Sequence, residues 1–539
     1  MRTDVLVVGG GLGGVSATLA AARLGRRVVL VEELDWLGGQ LTAQGVPLDE
    51  HPWVELDVGS RSYSRFRRQI RDYYLTHYPV TAEARARVPF NPGMGNVGTL
   101  CHEPKVAVRV IDDMLAPYES AGRLTVLRRH AAVTAHRDGD RITGLTFRNL
   151  ETRGLIDIEA VLVVDATETG ELLDLAGVEH VIGAESAAET GELHALPVAD
   201  PMDQQALTWC FAMDHLPGED HTIARPARYS EFRDLKLDFW PNRQFDWTVS
   251  NHVTHQPLKR ALFAGDSDED YLFDLWHARR IACRRSFEPG TYASDITLAN
   301  WPQMDYWLKP VIGVSPEARD AALEECRQFS LSFLYWMQTE APRHDRGYGY
   351  PGLRPRGDVL GTADGLAKQV YYREGRRIKA EFTVREQHIG VAARPGATAA
   401  ESFFDSVGIG AYRIDLHPPT TRARDTVDID SYPFEIPLGA LIPVRVENLL
   451  PACKNLGTTR ITSGAYRVHV VEWSIGEAVG TLAAYAVKHG VPPRAVRADA
   501  GRLAGLQSLL EDVGAPIRWP RFGALTPGSR RGYRPPPQL

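Results

Sequence analysis

The turn that opens this chain constrains it most. Residues 4 to 8, Asp-Val-Leu-Val-Val, are the β-branched apolar run that a strand buried on both faces requires. Gly9-Gly10-Gly11-Leu12-Gly13-Gly14 follows directly, and Val15 to Leu24 then reads as a helix. Glycine meets separate needs in such a turn: Gly9 the tight bend, Gly11 a close approach of backbone to a pyrophosphate, and Gly14 tight packing of helix on strand. The N–H groups that start the helix face the phosphates. Val28 to Val31 read as a second strand that delivers Glu32 about 20 residues after the turn, where a carboxylate accepts hydrogen bonds from ribose hydroxyls and repels a 2′-phosphate. Strand, turn, helix, strand and acid agree on a bound dinucleotide, and this motif alone admits either FAD or NAD.

Composition removes other classes. The formal charge is −7 over 539 residues with both signs mixed, so no cationic face for nucleic acid is expected. Cys101, Cys210, Cys283, Cys326 and Cys453 are odd in number, widely spaced and contain no C-x-x-C pair. That pattern argues against a disulfide scaffold, a zinc knuckle or a dithiol centre, and no metal site is expected. A strand that begins by Asp4 leaves no room for a leader. No stretch reaches the roughly 18 to 20 apolar residues of a membrane helix. These readings predict a cytoplasmic protein acting on a small molecule, without membrane or nucleic-acid partners.

Further segments extend the cofactor reading. Trp36-Leu37-Gly38-Gly39-Gln40-Leu41-Thr42 puts a second glycine pair just past the ribose position, where a cofactor longer than adenosine lies against backbone. Val161 to Asp165 is another buried strand, running into Ala166-Thr167-Glu168-Thr169-Gly170. Asn448 to Gly457 precedes a long helix that Gly476-Glu477-Ala478-Val479-Gly480 is expected to open, small enough to approach a flavin.

The order of these motifs resembles the FAD fold of the glutathione-reductase type. More narrowly, it is similar to the FAD-dependent oxidoreductase family that includes xanthan-lyase-like flavoproteins and relatives of the heterodisulfide reductase flavin subunit. Leu100 to Ala107 and Asp405 to Gly410 also carry the resemblance. It implies FAD as the cofactor, with Gly9, Gly11, Gly13 and Gly14 at the pyrophosphate and Glu32 at the adenosine ribose. It further implies Gly39 and Thr42 along the flavin arm, Val133 near the adenine, and Ala166 and Thr167 beside the adenosine half. Asn455, Arg467, Gly476 and Ala478 are implied to face the ribityl chain or the isoalloxazine ring. Where relatives often carry Ala-Gly-Arg-Cys, this chain has Ala452-Cys453-Lys454-Asn455, so its cysteine is shifted.

The fold class so implied is α/β: a Rossmann-like FAD-binding domain assembled from residues 1–50, 100–185 and 435–490, with an insertion at 51–99. Residues 186–434 are expected to form an inserted α+β substrate domain, and 491–539 a C-terminal helix and a basic, proline-rich tail. That tail, with Arg521, Arg530, Arg531, Arg534 and Pro535 to Pro537, either stays disordered or docks on a neighbouring subunit of a homo-oligomer. Residues 318–337 predict a long helix with apolar side chains at helical spacing. The insert holds seven of the eleven tryptophans, most of them expected in its core. Asn300 to Tyr306 alternates polar side chains with large rings, which makes Trp301 and Tyr306 candidate substrate contacts.

Flavin oxidation of a C–H bond needs a base for the accompanying proton. Asp405 to His417 reads as a small-residue loop followed by an alternating strand carrying Tyr412, Arg413, Asp415 and His417. This segment resembles the family's flavin-proximal strand, which makes His417 the first candidate for base or substrate contact, with Asp415 and Tyr412 beside it. Arg467 is placed to hold negative charge on reduced flavin, and His469 is a second candidate base. Arg373-Glu374-Gly375-Arg376-Arg377 reads as a solvated or ion-paired face, and Cys101-His102 pairs two residue types that attach flavins covalently. No second strand, glycine turn and helix supplies a built-in NAD(P)H domain, and no cysteine cluster supplies a relay. The expected reaction is oxidation of an alcohol or amine carbon, with oxygen or an external carrier as acceptor. An NAD(P)H-dependent monooxygenase, an electron-transfer subunit, and structural FAD with a ligand-binding insert remain open.

Overall fold

In the computed structural model the opening apolar run forms β1 (Arg2–Val8), and the glycine turn releases α1 (Leu12–Arg23) before β2 (Val28–Glu32). Residues 1–263, 274–422 and 424–520 are described, so the basic tail beyond Pro520 lies outside the described residues. The chain continues through α2 (Pro104–Ser120), β3 (Leu124–Arg128), β4 (His130–Asp138), β5 (Arg141–Asn149) and β6 (Leu155–Asp165). β3, β2, β1 and β6 lie side by side in that order, all parallel. The register sets Val8 beside both Val31 and Asp165, so three strand ends meet at the glycine turn. The amino-terminal half of β6 also pairs with β5, antiparallel, and β5 with β4.

A second sheet is antiparallel. Its strands are β7 (Phe211–His215), β8 (Arg280–Ala282), β9 (Ile296–Ala299) and β10 (Leu353–Pro355), in the order β8, β9, β7, β10. α3 (Pro316–Thr339) is the helix expected at 318–337, started by Pro316 and by Ser315, whose hydroxyl accepts the Ala318 N–H. Its Phe329, Phe333 and Trp336 join Trp247, Trp276 and Trp301 in one buried aromatic core. Core packing accounts for these tryptophans.

Four short strands follow: β11 (Ser406–Gly410), β12 (Ile414–Leu416), β13 (Val427–Ile429) and β14 (Phe434–Pro437). The small-residue loop expected at 405–410 is instead strand β11. Its glycines make room for packing, since a Cβ on Gly410 would stand 2.5 Å from the Phe434 ring and one on Gly408 2.8 Å from Ser474 Oγ.

β15 (Leu449–Pro451) then lies parallel to the carboxyl-terminal half of β6, completing the large sheet. The long helix α4 (His469–His489) packs on α1, and two shorter helices, Pro493–Ala498 and Ala500–Asp512, follow it. α1 and α4 are apolar nearly all round because each is enclosed, which buries eleven of the twelve residues of α1. The expectation that Gly476 opens the long helix is corrected. α4 starts at His469, and Gly476 faces α1, where a Cβ would stand 2.0 Å from Gly13 O and 2.1 Å from Ser16 Oγ. Gly480, one turn on, meets Ala17 in the same way at 2.2 Å. Gly476 and Gly480 let two helix backbones approach, and Ala478 is buried in the core.

Candidate active site

Two carboxylates reach the glycine turn from opposite ends of the chain. Glu32, at the end of β2, accepts the Gly10 N–H at 2.6 Å and the Leu34 N–H at 2.8 Å. Glu472, in the first turn of α4, accepts the Gly13 N–H at 3.0 Å. α1 has no acid in its own first turn and no side-chain cap, so Glu472 meets the positive end of the helix. Burial pushes the Glu32 carboxyl up to about 7, against the hydrogen bonds from Leu34 and Gly10, and burial raises Glu472 as well. Glu168 binds Lys454 Nζ at 2.5 Å through one oxygen, while the other is buried without a hydrogen-bond partner. Glycine is required on each side. A Cβ on Gly9 would stand 2.2 Å from Ala166 O, one on Gly14 1.9 Å from Gly9 O, and one on Gly39 2.8 Å from Gly11 Cα. A helix start, a backbone without side chains and an acid closing the second strand form the cradle that a dinucleotide needs.

Gln40 connects this cradle to a second group. Its Nε2 donates to Glu472 Oε2 and, at 3.1 Å, to the Arg467 carbonyl. The Arg467 guanidinium donates to the Tyr371 hydroxyl at 3.0 Å and to Asp415 Oδ2 at 2.9 Å. Asp415 Oδ1 lies 3.9 Å from His417 Nε2, and His417 Nδ1 lies 2.7 Å from Asp305 Oδ2. The other Asp305 oxygen accepts the Thr208 hydroxyl at 3.1 Å and sits 3.3 Å from Arg373 Nη2. The Arg373 guanidinium stands 5.0 Å from the centre of the Tyr371 ring, which closes the circuit.

This geometry fixes the state of His417. A carboxylate at Nδ1 keeps the proton there and leaves the Nε2 lone pair facing Asp415. Burial and the Arg373 charge lower the His417 pKa and outweigh the two aspartates. Burial works against ionisation of Asp305, but His417 and Arg373 overcome it and hold its pKa below the usual range. Burial likewise opposes the charge on Asp415, and His417 with Arg467 overcomes it. The imidazole's pKa lies below its usual value, and a carboxylate on either side can stabilise its protonated form.

The remaining candidates divide. Burial lowers His469 to about 4, and both its nitrogens are used: Nδ1 accepts the Asp49 N–H at 3.1 Å and Nε2 reaches Val46 O at 3.1 Å. It anchors the 46–49 backbone. Asn455 clamps strand ends, donating to Asp165 O at 3.0 Å and accepting the Cys453 N–H at 3.1 Å. The N–H and the hydroxyl of Thr167 both donate to Asp165 Oδ1. Thr42 donates to Leu37 O at 2.7 Å, next to Gly38, and Val133 is half-buried at a bulge in β4. Trp301 and Tyr306 are buried in the aromatic core of the second sheet, whereas Tyr412 is half-buried and electrostatically coupled to Arg467 and Arg279. The Cys101 thiol is buried and pushed up to about 12 by that burial, and buried His102 is pushed down to about 4.

The family comparison matches residues 4–510 to FAD dependent oxidoreductase. The chain belongs to that family. Among curated proteins it is 23% identical over 252 residues to 3-hydroxybenzoate 6-hydroxylase from Polaromonas naphthalenivorans, covering 46% of this chain and 59% of that one. It is 42% identical over 76 residues to carotenoid 3,4-desaturase from Haloarcula japonica, covering 13% of this chain and 15% of that one. The chain thus spans less than two thirds of either relative. Among solved structures it is similar to a geranylgeranyl bacteriochlorophyll reductase-like protein from Thermoplasma acidophilum, with a TM-score of 0.35 and 10% identity over 95% of this chain and 83% of that one. A glycerol-3-phosphate dehydrogenase from Bacillus halodurans with FAD bound gives 0.24 and 14% over 40% of each chain.

This FAD-dependent oxidoreductase therefore binds FAD and is an enzyme. Among the described residues no helix is long and apolar enough to cross a membrane, and no cluster of three or more His, Cys, Asp or Glu is arranged for a metal ion. Sequence reading gave no role to Glu472, Gln40, Glu168 and Lys454 at the cradle or to Asp49, Arg279, Asp305 and Tyr371 at the second group, although Gln40, Glu168, Lys454 and Asp305 stand in segments it singled out. Arg373 was visible only as part of a charged run, and that run is ion-paired and buried: Arg373, Glu374 and Arg377 are 2%, 4% and 0% exposed. One signal was available. Asp305 sits among the rings of Asn300 to Tyr306, a polar residue in an apolar setting that calls for a charged partner.

Proposed function

We propose that this flavoprotein, of the glutathione-reductase type over 1–50, 100–185 and 435–490 with 186–434 as its substrate domain, is a cytoplasmic oxidase or dehydrogenase. It removes a hydride from an alcohol or amine carbon of a small polar molecule, and the electrons pass on to oxygen or an external carrier. The observation that carries this reading is the His417 to Asp305 contact of 2.7 Å, which leaves a neutral imidazole with its Nε2 lone pair available. FAD, when bound, supplies the two-electron acceptor. Gly9, Gly11, Gly13 and Gly14 hold its pyrophosphate and Glu32 its adenosine ribose. His417 Nε2 takes the hydroxyl or amine proton as the carbon gives up its hydride, leaving a carbonyl or imine. Asp305 and Asp415 stabilise the imidazolium so formed, and Arg467 offers the charge that favours reduction.

The test is anaerobic mixing of the purified holoenzyme with a panel of alcohols and amines. Loss of the oxidised flavin absorbance with one member supports the proposal. A flavin that ignores the whole panel but bleaches with NADPH overturns it in favour of a monooxygenase, the reading suggested by the similarity to 3-hydroxybenzoate 6-hydroxylase.

A further inference from the structure

The charged group around His417 contains more hydrogen-bond donors than the protein satisfies. Three guanidiniums belong to it. The side chains of Arg373 and Arg467 are 2% and 3% exposed and that of Arg279 18%. A buried guanidinium is costly unless its N–H groups find acceptors. Arg373 Nε, Arg467 Nε and Arg279 Nη1 are buried and make no hydrogen bond.

The acceptors nearest these donors are mostly committed. Arg467 takes Asp415 through its Oδ2 and its carbonyl, and Asp415 Oδ1 faces His417 Nε2 at 3.9 Å without a hydrogen bond. Asp305 is divided among His417, Thr208 and Arg373. Asp49 approaches Arg279 Nη1 only to 3.8 Å, and the Tyr371 hydroxyl already accepts from Arg467. Asn300 joins the other two cations: its carbonyl accepts Arg279 Nε at 3.2 Å and its Oδ1 accepts Arg373 Nη2 at 3.3 Å. Two guanidiniums thus meet on one residue, each with a donor left over. A carboxylate accepts several charge-assisted hydrogen bonds at once and can take the leftover donor of each arginine, whereas a neutral alcohol accepts fewer and weaker ones. Arg373 and His417 also bind the two oxygens of the same Asp305 carboxylate, so anchor and base are separated by a span that a short carbon chain covers.

We infer that the molecule oxidised at this site carries a carboxylate, held by Arg373 and Arg279 on either side of Asn300 while His417 faces the carbon that reacts. This rests on the hydride-removal reading above for the role of His417, but the anion site is tested by binding alone.

The flavin absorbance of the oxidised holoenzyme is followed anaerobically during titration with lactate, succinate and benzoate, and in parallel with lactamide, succinamide and benzamide. At least one acid perturbs the spectrum saturably, and its amide binds at least tenfold more weakly. Arg373→Gln weakens that acid at least tenfold and leaves the amide unchanged, while Arg373→Lys, which keeps the charge and loses the fork, falls between. If Arg373→Gln fails to fold, Arg279→Gln takes the same measurement with the same expectation. Acids and amides binding alike, none of the three acids binding, or a flavin-loaded Arg373→Gln that keeps its affinity overturns the inference. A neutral alcohol that bleaches the flavin when no acid binds defeats this inference and leaves hydride removal standing. Acids that bind when nothing bleaches the flavin do the reverse.

Discussion

A Cβ on Gly13 would stand 1.6 Å from the carbonyl oxygen of Ala452, so the turn that starts the chain and the loop after β15 touch backbone to backbone. Nothing flexible can yield there, because the neighbour is main chain. Gly13→Ala must push α1 off the sheet end, a form of overpacking that costs about 1–3 kcal/mol and displaces the N–H groups facing the cofactor. The variant is expected to purify with little visible flavin and a lowered melting temperature. Full flavin occupancy at an unchanged melting temperature would show that the contact is not constraining.

Asp305 sets both the tautomer and the basicity of His417. Replacing it with Asn removes the carboxylate that keeps the proton on Nδ1, and flavin reduction by substrate is expected to slow by about 10²-fold or more. Asp305 also raises the His417 pKa, so its loss moves that pKa further below 6.5. In the native enzyme the reduction rate rises with pH through this ionisation, because the neutral imidazole is the active form. In Asp305→Asn the rise shifts to lower pH. A rate profile that does not move, measured by stopped flow, assigns Asp305 a purely structural role.

Glu32 gives the apoprotein a pH signature of its own. Its carboxyl titrates near 7 in the fold against 4.5 ordinarily, so between these values the folded chain keeps a proton that the unfolded chain releases. Its contribution is fully present below 4.5 and is lost as pH rises through 7. Glu32→Gln removes that dependence. Urea unfolding of the two apoproteins should diverge in favour of the variant by up to about 1.4 kcal/mol per pH unit across this window. Parallel stability curves would mean that Glu32 is already ionised in the fold.

How far the sequence exposed this site follows from where its residues come from. Gly9 to Gly14 and Glu32 lie within one strand, turn, helix and strand, and their contacts are local, so spacing alone revealed them. Glu472 reaches Gly13 and Asp305 reaches His417 only because distant segments fold together, and no periodicity records such meetings. The same limit misled the reading of Gly476: a small residue suits a cofactor and a helix contact equally, and the backbone of α1 turned out to be what it meets. His417 was found for a different reason: its strand resembles the flavin-proximal strand of the family, a likeness that points to a histidine without naming its partners.

Trp301 tests the boundary between core and pocket. It lies in the aromatic core beside Phe333, with rings 6.1 Å apart and at 83°, and its indole N–H is buried without an acceptor. The ring is spent on packing in that core, with Phe333 and Trp336. Trp301→Phe keeps most of the packed ring and removes the unpaired N–H, which offsets part of the cost of the smaller volume. The expected change in stability is under about 1.5 kcal/mol, with the rate of flavin reduction within about twofold of native, a span of roughly 0.4 kcal/mol in barrier. The decisive measurement pairs thermal unfolding with single-turnover reduction. A native melting temperature combined with a tenfold or greater loss of rate would put Trp301 back at the substrate.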